Sequence, residues 1–216
     1  MARLLTMRAA RALHDKAKRR GLADSAHFLK ALVAAPRLTG AVAPSGRALA
    51  RAMAAATGSP AQGLIVELGP GTGPVTQALI ETGVAQERLV LIEYDSSFCR
   101  LLRMRFPQAM VVEGDAYDLS RALPFAGQPI AAIVSSLPLL NQPPPRREKL
   151  IADAFALMGP SGAFVQFTYG LLSPIPREFC AGRYIATRSR PILLNLPPAF
   201  VWTYRLAGEG PRLAAA

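Results

Sequence analysis

Leu64-Ile65-Val66-Glu67-Leu68 runs without a break into Gly69-Pro70-Gly71-Thr72-Gly73, and a helix-forming pattern begins at Pro74. A short run rich in branched apolar residues reads as a buried strand. Three alternating glycines before a helix let the chain reverse sharply and bring bare backbone close to a ligand. The rest of the chain repeats the theme. Leu89–Glu93, Met110–Glu113, Ile130–Ser135 and Ala163–Thr168 read as further strands, and Val201–Leu206 as the last clear one. Pro74–Glu81, Ser96–Arg105 and Arg146–Met158 carry helical patterns between them. Alternation of this kind implies βαβ crossovers and a parallel sheet covered on both faces. At 216 residues the chain is long enough for one α/β core, and no internal repeat is visible.

The glycine spacing also excludes something. A dinucleotide fingerprint needs G-x-G-x-x-G, whereas position 74 is Pro and the third glycine comes one residue early. Glu67, two positions before the first glycine, would repel a pyrophosphate but attract a ligand carrying an ammonium and a sulfonium. The second strand ends in Glu93, about twenty residues beyond Gly73, where a carboxylate can accept two ribose hydroxyls. The third runs into Gly114-Asp115-Ala116, which puts a side-chain oxygen within reach of an adenine amino group.

The chain carries a formal net charge of +11, a field that attracts nucleic acid or anionic lipid. Much of it lies at the start: Arg3, Arg8, Arg11, Lys16, Lys18, Arg19 and Arg20 against Asp15 alone. With Leu4, Leu5 and Leu13 between them, these residues read as a basic amphipathic helix or as a solvated tail. Asp24 or Ser25 can cap a second helix through Phe28, Leu29, Leu32 and Val33, and Ser45 a third over Arg47–Ala56. We expect a helical region over 1–38 and a catalytic domain over 39–216. No apolar run approaches the ~18 residues of a membrane span, no secretory leader is expected, and Cys99 and Cys180 have no metal-ligand spacing. A reducing cytoplasm is the expected compartment, with no metal.

Glu67–Gly73, Glu93-Tyr94-Asp95 and Gly114-Asp115-Ala116 resemble the successive cofactor motifs of class I methyltransferases over roughly residues 40–170. The resemblance implies a Rossmann-like fold, with a seven-stranded, mostly parallel sheet that includes one antiparallel strand. It also implies S-adenosylmethionine across the carboxyl ends of the strands, leaving as S-adenosylhomocysteine. Cofactor contacts then fall to Pro44, Ser45, Glu67, Gly69, Gly71, Thr72, Gly73, Glu93, Tyr94, Asp115, Ala116 and Ser135.

Two families share this turn and the following Ile-Glu-x-Asp. In rRNA adenine dimethyltransferases the fourth strand ends in an Asn-Leu-Pro-Tyr-like segment that holds the target base. Here Ser135-Ser136-Leu137-Pro138-Leu139-Leu140 lacks both the amide and the ring. Bacterial soluble-type phosphatidylethanolamine N-methyltransferases are similar over nearly the whole chain, including Thr39–Gly46 and Asn195-Leu196-Pro197-Pro198-Ala199. That resemblance implies stepwise methylation of phosphatidylethanolamine towards phosphatidylcholine by an enzyme peripheral to the inner face of the plasma membrane. Its partners would be an anionic membrane surface and the phospholipid, not nucleic acid; RNA methylation is the alternative. Tyr169, directly after the fifth strand, either orients the amine or is structural. Arg183, Arg188 and Arg190 either receive the lipid phosphate or form a solvated basic face. Leu137 and Tyr184 complete the expected acceptor contacts. Tyr184 and Trp202 can face a methylated ammonium, although core packing suits Trp202 better.

Overall fold

The computed structural model describes residues 44–208, except 59, 61, 124–127 and 196, and only the backbone of Pro44 and Ser45. The expected N-terminal helices and the domain boundary at residue 38 lie outside the described residues. Seven strands form one sheet in the order β3-β2-β1-β4-β5-β7-β6. They are β1 (Leu64–Leu68), β2 (Leu89–Glu93), β3 (Met110–Glu113), β4 (Ile130–Ser135), β5 (Ala163–Thr168), β6 (Tyr184–Arg188) and β7 (Phe200–Leu206). Strands β1 to β5 pair in parallel, whereas β7 runs antiparallel between β5 and β6. The seven-stranded, mostly parallel sheet implied by the resemblance is therefore present.

Strand β6 is the element the pattern did not reveal. Its sequence, Tyr-Ile-Ala-Thr-Arg, is exposed from its second residue onward because it forms a sheet edge, so no buried apolar face shows. Helices α1 (Pro44–Ala56), α2 (Pro74–Glu81), α3 (Ser96–Arg105), α4 (Leu119–Ala122), α5 (Pro144–Met158) and α6 (Arg177–Cys180) complete the fold. Two starts differ from expectation. Helix α1 begins at Pro44, so Ser45 lies in its first turn and does not cap a helix starting at Arg47. Helix α5 begins at Pro144, two residues before the expected Arg146, because proline suits a first turn whose N–H groups have no helical acceptor. Asp95 caps α3 by accepting from the Ser97 and Phe98 amides at 2.7 and 3.2 Å.

The strand period divides the core between the two faces. Val66, Leu68, Val90, Ile92, Ile133, Phe164 and Tyr204 pack with α4 and α5 through Leu119, Leu150, Ile151 and Phe155. Ile65, Leu91, Val134, Val165 and Val201 pack with α1, α2 and α3 through Leu49, Met53, Val75, Leu79 and Leu102. Both layers are needed because a parallel sheet leaves neither face to water. With the core fixed in this way, the loops after β1 to β6 all emerge at the carboxyl edge.

Candidate functional site

The turn after β1 is built as its glycines suggest. Gly69, Gly71 and Gly73 have φ of 67°, 58° and 82°, in the left-handed region. A Cβ on Gly73 would stand 2.5 Å from Phe106 Cε2, and one on Gly69 3.0 Å from Leu137 Cδ2. One on Gly71 would meet nothing within 4 Å. The turn thus packs tightly at both ends and opens outward in the middle. Arg105 of α3 donates to the Thr72 carbonyl and holds the turn from outside.

Two carboxylates flank it. The Glu93 carboxylate accepts from the backbone amides of Gly71 (2.9 Å), Tyr94 (2.8 Å) and Asp95 (3.0 Å), which lock its orientation at the end of β2. Oε1 is filled by the Tyr94 and Asp95 amides, whereas Oε2, which accepts only from Gly71, keeps a lone pair for a further donor such as a ribose hydroxyl. Glu67 is fully buried on the α2 side, where Thr76 Oγ1 donates to its Oε2 at 2.6 Å. Its other oxygen, Oε1, has no partner. Burial pushes the Glu67 carboxyl up to about 8, the Thr76 bond opposes the rise, and the Glu93 charge adds to it. With Oε1 unpartnered, this carboxyl suits a cationic ligand such as an amino-acid ammonium, whose charge would offset the burial cost and draw the proton off.

Asp115 follows β3. Its Oδ1 accepts from the Tyr117 amide at 2.9 Å, and its Oδ2 pairs with Arg146 at 3.3 Å. Arg146 also stacks over the Tyr117 ring at 4.3 Å. Tyr94 is exposed beside Glu93, and Ala116 is buried behind Asp115. Ser135 ends β4, and its hydroxyl accepts from the Leu137 amide at 3.4 Å. The turn, Glu93, Tyr94, Asp115 and Ser135 thus share one edge. The side chains of Pro44 and Ser45 lie outside the description.

The expected acceptor residues divide. Leu137 packs against Gly69, and Tyr169 lies at the same edge, edge-on to Phe167 with ring centroids 5.5 Å apart. Burial raises the Tyr169 phenol above its ordinary range, while a side-chain bond with Asn195 opposes the rise, so the phenol is neutral at physiological pH. Arg188 closes β6, also at this edge, donating to the Leu171 carbonyl at 2.7 Å and lying 4.9 Å over the Phe200 ring. Arg183 and Tyr184 correct the expectation. They open β6, which runs parallel to β5, so they sit at the opposite edge. Tyr184 stacks on Phe155 at 4.9 Å, and Arg183 covers Phe179 at the same distance. Neither reaches the turn. Trp202 is core, as its apolar setting suggested.

Gln166 is a site residue that pattern reading missed. It is buried in β5, donates to the carbonyls of Leu137 (2.9 Å) and Phe167 (2.8 Å), and leaves Oε1 unpartnered. Its one sequence signal is an amide inside the otherwise apolar Ala-Phe-Val-Gln-Phe run. Among the described residues no group of three or more His, Cys, Asp or Glu is arranged to hold a metal, and no helix is long and apolar enough to cross a membrane.

Residues 65–162 match the family model described as a methyltransferase domain. The ornithine lipid N-methyltransferase of Singulisphaera acidiphila is 37% identical over 109 residues, 49% of this chain and 57% of that protein. The ribosomal RNA small subunit methyltransferase A of Chlorobium luteolum is 25% identical over 161 residues, 70% of this chain and 58% of that one. Five further relatives carry the same ribosomal RNA name. The chain therefore spans less than two thirds of the length of these first relatives. Among solved structures, the CcbJ methyltransferase of Streptomyces caelestis superposes with a TM-score of 0.56 at 18% identity, covering 76% of this chain and 90% of that one, a likeness of fold. The strand order gives the described region the Rossmann-like fold of class I methyltransferases, and the glycine turn with its two carboxylates, inside the matched methyltransferase domain, suits S-adenosylmethionine as cofactor.

Proposed function

We propose that the chain transfers methyl groups from S-adenosylmethionine to the amine of a membrane-lipid headgroup, phosphatidylethanolamine and its mono- and dimethyl forms first. When bound, the sulfonium supplies an activated methyl group whose leaving group is a neutral thioether. The amine lone pair attacks the methyl carbon in line, the carbon–sulfur bond breaks, and its electron pair stays on sulfur. The headgroup ammonium must first lose a proton to water, so alignment of its neutral form supplies much of the rate, and each transfer leaves a methylated ammonium and a neutral thioether. Glu67 offers its unpartnered oxygen to the cofactor ammonium, and Glu93 the remaining lone pair of Oε2 to the ribose. Asp115 offers an oxygen to the adenine amino group, exchanging part of its pairing with Arg146. The Tyr169 hydroxyl, neutral and tied to Asn195, orients the amine as a hydrogen-bond partner.

The observation that carries the lipid reading is the acceptor wall after β4. Leu137 lies on Gly69, Leu139 is buried and Leu140 faces solvent, with no ring to stack on a base. The Singulisphaera relative's name adds support. A second reading, methylation of ribosomal RNA, draws on the six relatives of that name and on the net charge of +11. By number of relatives it is the better supported of the two. Incubation with methyl-labelled cofactor, phosphatidylethanolamine vesicles and small-subunit ribosomal RNA separates them. Label in the lipid fraction is expected, and label confined to RNA would overturn the lipid reading.

A further inference from the structure

Three loops leave the carboxyl edge on the acceptor side of the sheet, and each carries a pair of leucines followed by a small polar residue. They are Leu139-Leu140-Asn141 after β4, Leu171-Leu172-Ser173 after β5 and Leu193-Leu194-Asn195 between β6 and β7. Leu139 is buried and anchors its loop, while the other five leucines are 45–79% exposed. Scattered apolar residues on a surface need no explanation, but five leucines on neighbouring loops of one edge do. The polar thirds of two triplets, Ser173 and Asn195, are put to structural use. The Ser173 hydroxyl bonds the Ile175 carbonyl (2.6 Å) and the Tyr204 hydroxyl (2.7 Å), and Asn195 Nδ2 donates to the Pro197 carbonyl at 2.7 Å. The loops are therefore held from inside while their leucines point into water.

Charge selects the occupant. Residues 136–143, 169–176 and 189–199 contain no Asp or Glu, while Arg188 and Arg190 stand exposed beside the leucines. An apolar patch edged with arginine and free of acids matches the boundary between acyl chains and anionic headgroups. A protein partner would leave the lack of acids unexplained, and RNA the leucines.

We propose that the Leu140, Leu171, Leu172, Leu193 and Leu194 surface seats on an anionic lipid bilayer, with the leucines among the upper acyl carbons and Arg188 and Arg190 at the phosphates. The methyl-donor turn then faces the membrane, and a headgroup amine reaches it without the lipid leaving the bilayer. In that last respect the inference rests on the lipid-acceptor reading, whereas the docking itself is measured separately.

The test uses the full chain carrying Leu194→Trp, with Leu172→Trp as a second probe, and vesicles of phosphatidylglycerol and phosphatidylethanolamine with brominated acyl chains. The single native tryptophan, Trp202, is buried and serves as the internal reference. Bromine should remove about half of the added indole emission, because interfacial side chains sit within reach of the upper acyl carbons. Converting Leu171, Leu172, Leu193 and Leu194 together to Asn should lower vesicle partition about tenfold or more, since exposed apolar area drives it. Affinity for S-adenosylhomocysteine should be unchanged, which reports an intact fold.

Four results overturn the proposal. One is vesicle-bound protein with both probes unquenched, which places membrane contact elsewhere; another is no binding to vesicles at all. A third is probes that already emit as buried indoles before vesicles are added, which means the chain itself or, if the signal depends on concentration, a second copy covers the leucines. The fourth is protection of the probes by ribosomal RNA in place of lipid. Quenched probes with no methylated lipid would sustain the surface and sink the lipid-acceptor reading, whereas methylated lipid with unquenched probes would do the reverse.

Discussion

Gly71 and Gly73 lie two residues apart in one turn, yet the structure assigns them different costs. An alanine at Gly73 must hold a φ near 82° and place its Cβ 2.5 Å from the Phe106 ring and 3.1 Å from Leu102 Cδ2. The left-handed conformation costs about 1–2 kcal/mol for a residue with a Cβ. Overpacking a filled core adds about 1–3 kcal/mol. Gly73→Ala should therefore lose about 2–5 kcal/mol, which for a chain of this size lowers the melting midpoint on the order of 10 °C. Gly71→Ala carries the first cost alone, about 1–2 kcal/mol, because its Cβ has open space around it. That space is the approach to the turn, so the penalty should appear in binding. Affinity for S-adenosylhomocysteine should fall about tenfold or more, equivalent to about 1.4 kcal/mol. Urea unfolding and calorimetric titration of both variants give the two axes. The reasoning is refuted if Gly71→Ala is as destabilising as Gly73→Ala, or if folded Gly71→Ala protein binds with wild-type affinity.

Glu93→Ala frees three backbone amides and removes the ribose acceptor; cofactor affinity should fall by on the order of a hundredfold, and calorimetry finding less than a twofold loss would remove Glu93 from the site. Glu67 holds its proton in the folded chain up to about 8, whereas the unfolded carboxyl loses it near 4.5. Its contribution to stability is thus fully present below the unfolded value and lost as pH rises through the folded one. Glu67→Gln should flatten the fall in urea-unfolding free energy across that window, and an unchanged slope would count against a buried protonated carboxyl. Tyr169→Phe should lower kcat about tenfold while leaving S-adenosylhomocysteine affinity intact, with steady-state rates and titration as the two readouts. Gln166→Leu removes the bond to the Leu137 carbonyl and should raise acceptor KM more than it lowers kcat.

How much was legible in the sequence follows from where each residue's signal lies. Strands β1, β2, β4 and β5 are buried on both faces, so their apolar runs give them away, the edge strand β3 shows through its Met-Val-Val run, and the glycines and strand-end acids of the cofactor half are read from local chemistry alone. Strand β6 is an exposed edge paired only with β7, and nothing within five residues records a partner reached across a long connection. Missing it is what sent Arg183 and Tyr184 to the acceptor site. Once β6 is known to run parallel to β5, their place at its start puts them a full strand length from the turn. Gln166 fails for a related reason: its role depends on the Leu137 carbonyl 29 residues away, which no local pattern can report.

The same division bears on what the relatives can say about the acceptor. The family match covers residues 65–162, which hold the glycine turn, Glu93, Asp115 and the β4 segment, and stops before β5. Tyr169, Gln166, Arg188 and two of the three leucine triplets lie beyond it. The part the family model matches reports how a methyl donor is held, a demand common to lipid and RNA enzymes, although two ribosomal RNA methyltransferase relatives align over 70% and 76% of this chain. Acceptor choice is a difference between affinities, set by groups that touch the acceptor and by groups that would clash with its rivals. Within the shared part, the β4 end is where acceptor chemistry shows. There the chain presents Ser135, Leu137 and the exposed Leu140, with no aromatic ring for base stacking. The buried Leu139 stands in the register of the missing ring, so placing a ring on the exposed Leu140 beside it is a direct test of acceptor choice. Leu140→Tyr should leave cofactor affinity unchanged and reduce transfer to phosphatidylethanolamine vesicles. If the folded variant keeps full activity on lipid and gains none on ribosomal RNA, the wall after β4 is not what selects the acceptor.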